Sequence, residues 1–192
     1  MMNDNNKTVG IIALSQLKGI GPAFIKKTVS TNSFNSSNIF EELKEITNAN
    51  NKLFDNDTLF QSIERAKEII AKCNSEGITI INLLSDKYPL LLKEIKDPPP
   101  VVYCIGNLEL LNNKTVCIIG TREPNENGQK ISERIGAFYS NSNWNICNGL
   151  AEGIDNFSIR SKDQVYKNVI GVLAGGLNFK STKNLKAGEF DE

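Results

Sequence analysis

The chain has 192 residues, 40% of them hydrophobic, with 22 Lys+Arg set against 22 Asp+Glu and no histidine. That length carries one large domain or two small ones and can bury a core. The zero formal charge excludes the broad basic field of many duplex-DNA binders, and the lack of histidine removes the commonest general base and metal ligand.

Residues 1 to 7 are polar and read as a frayed end. A short helix is predicted from Val9 to about Gln16, followed by the tight turn Leu17-Lys18-Gly19-Ile20-Gly21 and a second helix opened by Pro22, whose missing N–H is tolerated there. A second helical pair is predicted over Ile39 to Thr47 and Thr58 to Asn74, the latter with Leu59, Ile63, Ala66, Ile69, Ile70 and Cys73 on one face. Residues 1–75 therefore read as an all-helical domain. The character changes at Ile78: strands are predicted at 78–82 and 101–105, separated by a helical turn after Tyr88-Pro89 and the stiff bridge Asp97-Pro98-Pro99-Pro100. Strand 115–119, helix 128–140, strand 144–147, a helix from about 155 and strand 168–173 follow. This alternation predicts a parallel sheet in residues 76–192, with Trp144 covering an edge of its core.

Three of those strands run into glycine turns: Gly120-Thr121-Arg122, Asn148-Gly149-Leu150-Ala151-Glu152-Gly153 and Ala174-Gly175-Gly176. A parallel sheet delivers its strand ends to one edge, where backbone amides and helix N-termini suit phosphate. Gly120 permits close approach, Thr121 offers a hydroxyl, and Arg122 offers a planar fork that grips phosphate bidentately. The alternative for Arg122 is a bridge to Glu123 or Glu126, less favoured than phosphate binding, and Asp155 reads as an N-cap more readily than as a catalytic group. Between residues 158 and 186 the basic Arg160, Lys162, Lys167, Lys180, Lys183 and Lys186 face only Asp163, which reads as a solvated helix face or a local anion patch.

No catalytic residue, metal ligand or cofactor motif is identified. The Walker pattern and Gly-x-Gly-x-x-Gly are missing, so neither nucleotide hydrolysis nor dinucleotide binding is supported. Of the widely spaced Cys73, Cys104, Cys117 and Cys147, three lie inside apolar strand-like runs and read as small buried hydrophobes, so no metal site or disulfide frame is implied. With no leader pattern and no apolar run of about 18 residues, a cytoplasmic protein without membrane contact is expected.

The chain resembles the DNA-processing protein A family (DprA/Smf) over roughly Leu14 to Leu177. The resemblance rests on Tyr88-Pro89-Leu90-Leu91-Leu92-Lys93-Glu94-Ile95, Pro99-Pro100-Val101-Val102-Tyr103 with Gly106-Asn107-Leu108, Ile119-Gly120-Thr121-Arg122, Asn148 to Asp155, and Val172-Leu173-Ala174-Gly175-Gly176-Leu177. It implies a small helical domain of SAM-like or helix-hairpin-helix-like type followed by a Rossmann-like α/β domain, incomplete at its C-terminus. It also implies a non-enzymatic protein that binds single-stranded DNA and delivers it to a RecA-type recombinase during uptake or recombination, with homodimers in longer relatives.

On this resemblance the DNA-contacting residues are Gly120, Thr121, Arg122, Asn148, Gly149, Leu150, Ala151, Gly153, Gly175 and Gly176. Lys180 and Lys183 are candidate auxiliary basic contacts, as are Lys18 and Lys26 if the Leu17–Pro22 turn is a helix-hairpin-helix rather than a connection between two packed helices, the reading favoured. The chain departs from the family in Asn148, where Ser is usual, in Asn156-Phe157-Ser158 where an Ala-His pair follows the aspartate, and in lacking the later basic segment. A nucleotide-ligand module is the alternative, although Ala174-Gly175-Gly176-Leu177-Asn178 lacks the Gly-Thr and Glu of nucleotide-cleaving relatives. An inactive remnant is the other.

Overall fold

The structure is a computed structural model that describes residues 2–31, 38–162 and 164–177. It comprises two compact units that divide between Cys104 and Ile105.

The first unit is built around α1 (Met2–Gln16), with α2 (Pro22–Thr31), α3 (Ile39–Ala49) and α4 (Asn56–Ser75) packed against it or one another. Val9 and Ile11 through Leu14 are all buried. A helix apolar on every side belongs at the centre of a bundle, which is why α1 contacts all three other helices. The expected frayed end is instead helical from Met2, because a helix nucleated by that buried run extends at little further cost.

The turn before α2 forms as expected. Leu17 and Ile20 amides donate to Leu14 and Leu17 carbonyls, and Gly19 takes the left-handed φ of 81° that closes the turn. Asp55 caps α4, its carboxylate accepting the Thr58 amide at 2.6 Å, a bond that holds the Asp55 carboxyl below its ordinary range. On α4 the expected apolar face is buried at Leu59, Ile63, Ala66 and Cys73.

This first unit extends beyond its helices. Strands β1 (Thr79–Asn82) and β2 (Val101–Cys104) pair antiparallel around the short α5 (Leu90–Glu94). Ile81, Leu83 and Tyr88 are buried, and Asn82 donates its side-chain amide to Thr8 Oγ1 at 2.9 Å. The change of character at Ile78 thus marks where helix gives way to strand, while packing carries the unit on to Cys104.

The second unit begins with a 3₁₀ turn, Leu108–Asn112, and continues β3 (Thr115–Cys117), α6 (Glu126–Asn141), β4 (Asn145–Asn148), α7 (Ile154–Ser158), β5 (Arg160–Ser161), β6 (Gln164–Val165) and β7 (Val169–Gly171). Its sheet is parallel with order β3-β4-β7, the register aligning Cys117 with Cys147 and Cys147 with Ile170. Ile118, Ile146, Leu150 and Ile159 form the core, with Val116, Tyr139, Ile154 and Val169 packed on it. Trp144 is half-buried with its ring 5.5 Å from that of Tyr139.

Three expectations for this unit change. The helix from about 155 ends after one turn at Ser158, because the chain reverses into the antiparallel pair β5–β6. That pair and the loop to β7 carry Arg160, Lys162 and Lys167, so they share no helix face; Lys180, Lys183 and Lys186 lie outside the described residues. The four cysteines are free, but Cys117 is exposed, since its side of β3 points away from the core that takes Val116 and Ile118.

Candidate functional site

Because β3, β4 and β7 run parallel, their C-terminal ends reach one edge of the sheet. The turn after β3 and the turn after β4 meet there. The Ile154 amide donates to Thr121 O at 3.1 Å, and Ser132 on α6 donates its hydroxyl to Ile154 O at 2.8 Å.

Two glycines make this contact close enough. A Cβ on Gly153, which sits at φ 85°, would lie 2.3 Å from Thr121 O, and one on Gly120 would lie 2.7 Å from the Ile154 side chain. Any side chain at either position would drive the two turns apart. The third turn joins through the Val172 amide, which donates to Asn148 O at 2.8 Å. Gly175 and Gly176 beyond it are exposed.

The Gly120-Thr121-Arg122 turn is open. All three residues are exposed, and among the described residues their backbone amides have no hydrogen-bond partner. Thr121 Oγ1 accepts the Glu123 amide at 3.2 Å, which shapes the turn and leaves the hydroxyl proton available. Arg122 makes no ion pair with Glu123 or Glu126 among the described residues; Glu126 lies 4.0 Å from Lys130 instead. Ile119 and Val172, 69% and 62% exposed, add apolar surface beyond the ends of β3 and β7, the strands on either side of β4.

The Asn148–Gly153 turn is arranged differently. Asp155, 5% exposed, accepts the Gly149 amide at 3.0 Å and the Ala151 amide at 3.4 Å on one carboxylate oxygen. Asn148, 3% exposed, accepts the Leu150 amide on its side-chain oxygen and donates to Asp155 O and Ser158 Oγ. Leu150 takes φ 53° and buries its side chain in the core.

Asp155 is therefore not the N-cap of α7. Gly153 holds that position and Asp155 is the second helical residue, its carboxylate turned back over the preceding turn. An Asp two residues beyond a glycine reads from sequence as a cap. The asparagine that closes β4 was the signal for the alternative, since Asn and Asp side chains bond backbone two residues away.

Of the auxiliary lysines, Lys18 is exposed at the turn before α2. Lys26 is engaged: its ammonium donates to Lys93 O and Ile95 O, both at 2.9 Å, closing the end of α5. Lys180 and Lys183 lie outside the described residues. Among the described residues no group of three or more His, Cys, Asp or Glu is placed to hold a metal ion, and no helix is long and apolar enough to cross a membrane.

Residues 79–188 match the family described as DNA recombination-mediator protein A. The chain is 33% identical over 117 residues to DNA processing protein DprA of Bacillus subtilis, covering 60% of this chain and 39% of that protein. It is 27% identical over 183 residues to Protein Smf of Synechocystis sp., covering 91% of this chain and 46% of the relative. It thus spans less than half the length of these relatives. The crystal structure of DNA processing protein A from Streptococcus pneumoniae superposes with a TM-score of 0.63 at 22% identity, over 94% of this chain and 59% of that one, a likeness of fold.

Proposed function

Because this chain belongs to the DNA recombination-mediator protein A family, we propose that it binds single-stranded DNA, with one backbone phosphate held by the Gly120-Thr121-Arg122 turn. The observation that carries this reading is the state of that turn. Gly120, Thr121 and Arg122 are exposed at the strand ends of a parallel sheet, and among the described residues their amides have no hydrogen-bond partner and Arg122 has no ion pair. Amides and a guanidinium are the donors that suit a phosphate oxygen, and their charge-assisted bonds are the stronger class.

The exposed Ile119 and Val172 suit the apolar faces of bases that a flexible strand can turn outward. A near-neutral chain with one narrow turn favours a single backbone over the two of a duplex. Gly153 packs against the Thr121 and Arg122 backbone, the Gly149, Leu150 and Ala151 amides are held by Asp155 and Asn148, and Gly175 and Gly176 are exposed beyond the third turn. The helical residues 1–75 serve as a docking or scaffold domain, and the Rossmann-like domain read over 76–192 has its parallel sheet in the second unit, from Ile105 onward. The reading includes no bond-breaking step, since the turn offers donors and no base, and it places the protein upstream of a RecA-type recombinase.

Titrating labelled oligothymidine, the matching duplex and a nucleoside monophosphate against the chain tests this. Tightest binding to the single strand is expected. Equal affinity for strand and duplex at one salt concentration refutes the single-strand reading, and tighter binding of the monophosphate favours the nucleotide-ligand alternative.

A further inference from the structure

The two turns at the sheet edge look equivalent in sequence, each a glycine turn at the end of an apolar strand, yet their amides are in opposite states. Those of Gly120, Thr121 and Arg122 have no partner among the described residues. Those of Gly149, Leu150 and Ala151 all point at side-chain oxygens of the same chain, two at Asp155 and one at Asn148. We propose that Asp155 is a built-in anion that fills the Gly149–Ala151 turn, closes it to external phosphate, and confines phosphate binding to the Gly120–Arg122 turn. The second half of this statement rests on the reading given under Proposed function; the first stands on the bonds of Asp155 alone.

The physical case begins with burial. An ionised carboxylate at 5% exposure is tolerated where hydrogen bonds replace its lost water, and the Gly149 and Ala151 amides are such replacements. Asn148 braces the arrangement from the other side by donating to the backbone oxygen of Asp155 itself and to Ser158 Oγ.

An external phosphate at this turn would have to displace a tethered carboxylate, whose effective concentration is at least millimolar. It would also approach a fixed negative charge in a poorly hydrated site, where like charges repel more strongly than in water. A Cβ on Gly149 would lie 3.4 Å from Asp155 Oδ2, so the carboxylate also occupies the space beside that glycine. Asp155 thereby acts as a positioning and specificity-determining residue: it makes one of two similar turns a brace and leaves the other as the anion site.

The test follows backbone amide shifts by NMR on the full chain while inorganic phosphate, and separately oligothymidine, is added. In the parent protein the amides of Gly120, Thr121 and Arg122 are expected to move and those of Gly149, Leu150 and Ala151 to stay. Hydrogen exchange of Gly149 and Ala151 should be slowed at least tenfold relative to Gly120 and Thr121. In Asp155→Asn, which keeps the shape and removes the charge, and in Asp155→Ala, the Gly149–Ala151 amides should begin to respond, with half-saturating phosphate at least tenfold below any response of the parent turn.

Parent Gly149 and Ala151 amides that move with phosphate as readily as Gly120 and Thr121 overturn the proposal. So do folded Asp155 variants whose 149–151 amides stay silent. If the Gly120 turn is silent in every protein while the variants open 149–151, the role of Asp155 holds and the assignment of phosphate to Gly120–Arg122 fails. Should both variants be unfolded, the parent shifts and exchange rates still decide.

Discussion

Replacing Arg122 by alanine separates a binding role from a structural one. The side chain is exposed and makes no ion pair among the described residues, so its removal strands no buried partner. Such surface changes usually alter stability by less than about 0.5 kcal/mol. A hydrogen bond involving a charged group contributes about 1.5–3 kcal/mol, so losing the phosphate contact should raise Kd for oligothymidine roughly 10- to 150-fold.

The salt dependence supplies an independent measure, since each phosphate neutralised on a single strand contributes about 0.7 to the slope of log K against log salt. Fluorescence anisotropy across a salt series should therefore show Arg122→Ala both weaker and flatter by about 0.7. Arg122→Lys should restore the slope but only part of the affinity, because a lysine cannot make the bidentate contact. Thermal melts of all three proteins should coincide. An alanine variant that melts several degrees lower and binds like the parent would refute the reasoning and make Arg122 a structural residue.

Gly153→Ala should destabilise the second unit by more than about 1–3 kcal/mol, adding a backbone clash with Thr121 O to an unfavourable φ; an unchanged denaturation midpoint would mean the two turns separate freely. Tyr88→Phe should cost about 1 kcal/mol by removing the 2.7 Å bond to Pro99 O, read by urea unfolding. Burial pushes the Tyr88 phenol from 10.0 up to about 12, so the unfolded chain releases its proton first and stability falls as pH rises through that window. The phenylalanine variant should lack this contribution, and identical pH profiles would count against it. Lys26→Ala should lower the melting temperature of the first unit while leaving DNA affinity unchanged, because its ammonium is held by Lys93 and Ile95 carbonyls. Lys18→Glu tests the turn before α2 for DNA contact: a flatter salt slope supports contact, and an unchanged slope leaves the turn as packing.

Alternation of apolar runs with glycine turns was enough to read a parallel sheet from the sequence alone, because buried parallel strands have little choice of composition. The apolar stripe on α4 and the Gly19-to-Pro22 turn were legible for the same reason, their periodicity and backbone demands being local. Burial set the rest. The first unit continues to Cys104 because Ile81, Leu83 and Tyr88 find their core among the helices, a partnership no local pattern encodes. Lys26, a plausible DNA contact by charge, is committed to two carbonyls 67 and 69 residues away in sequence. At the sheet edge the sequence offers equivalent glycine turns and an aspartate that reads as a cap. Tertiary structure turned that aspartate back onto Gly149 and Ala151 and left Gly120 to Arg122 open. A hydrogen-bond donor is available or used according to what the fold brings within about 3 Å of it, and only the packed chain specifies that neighbour.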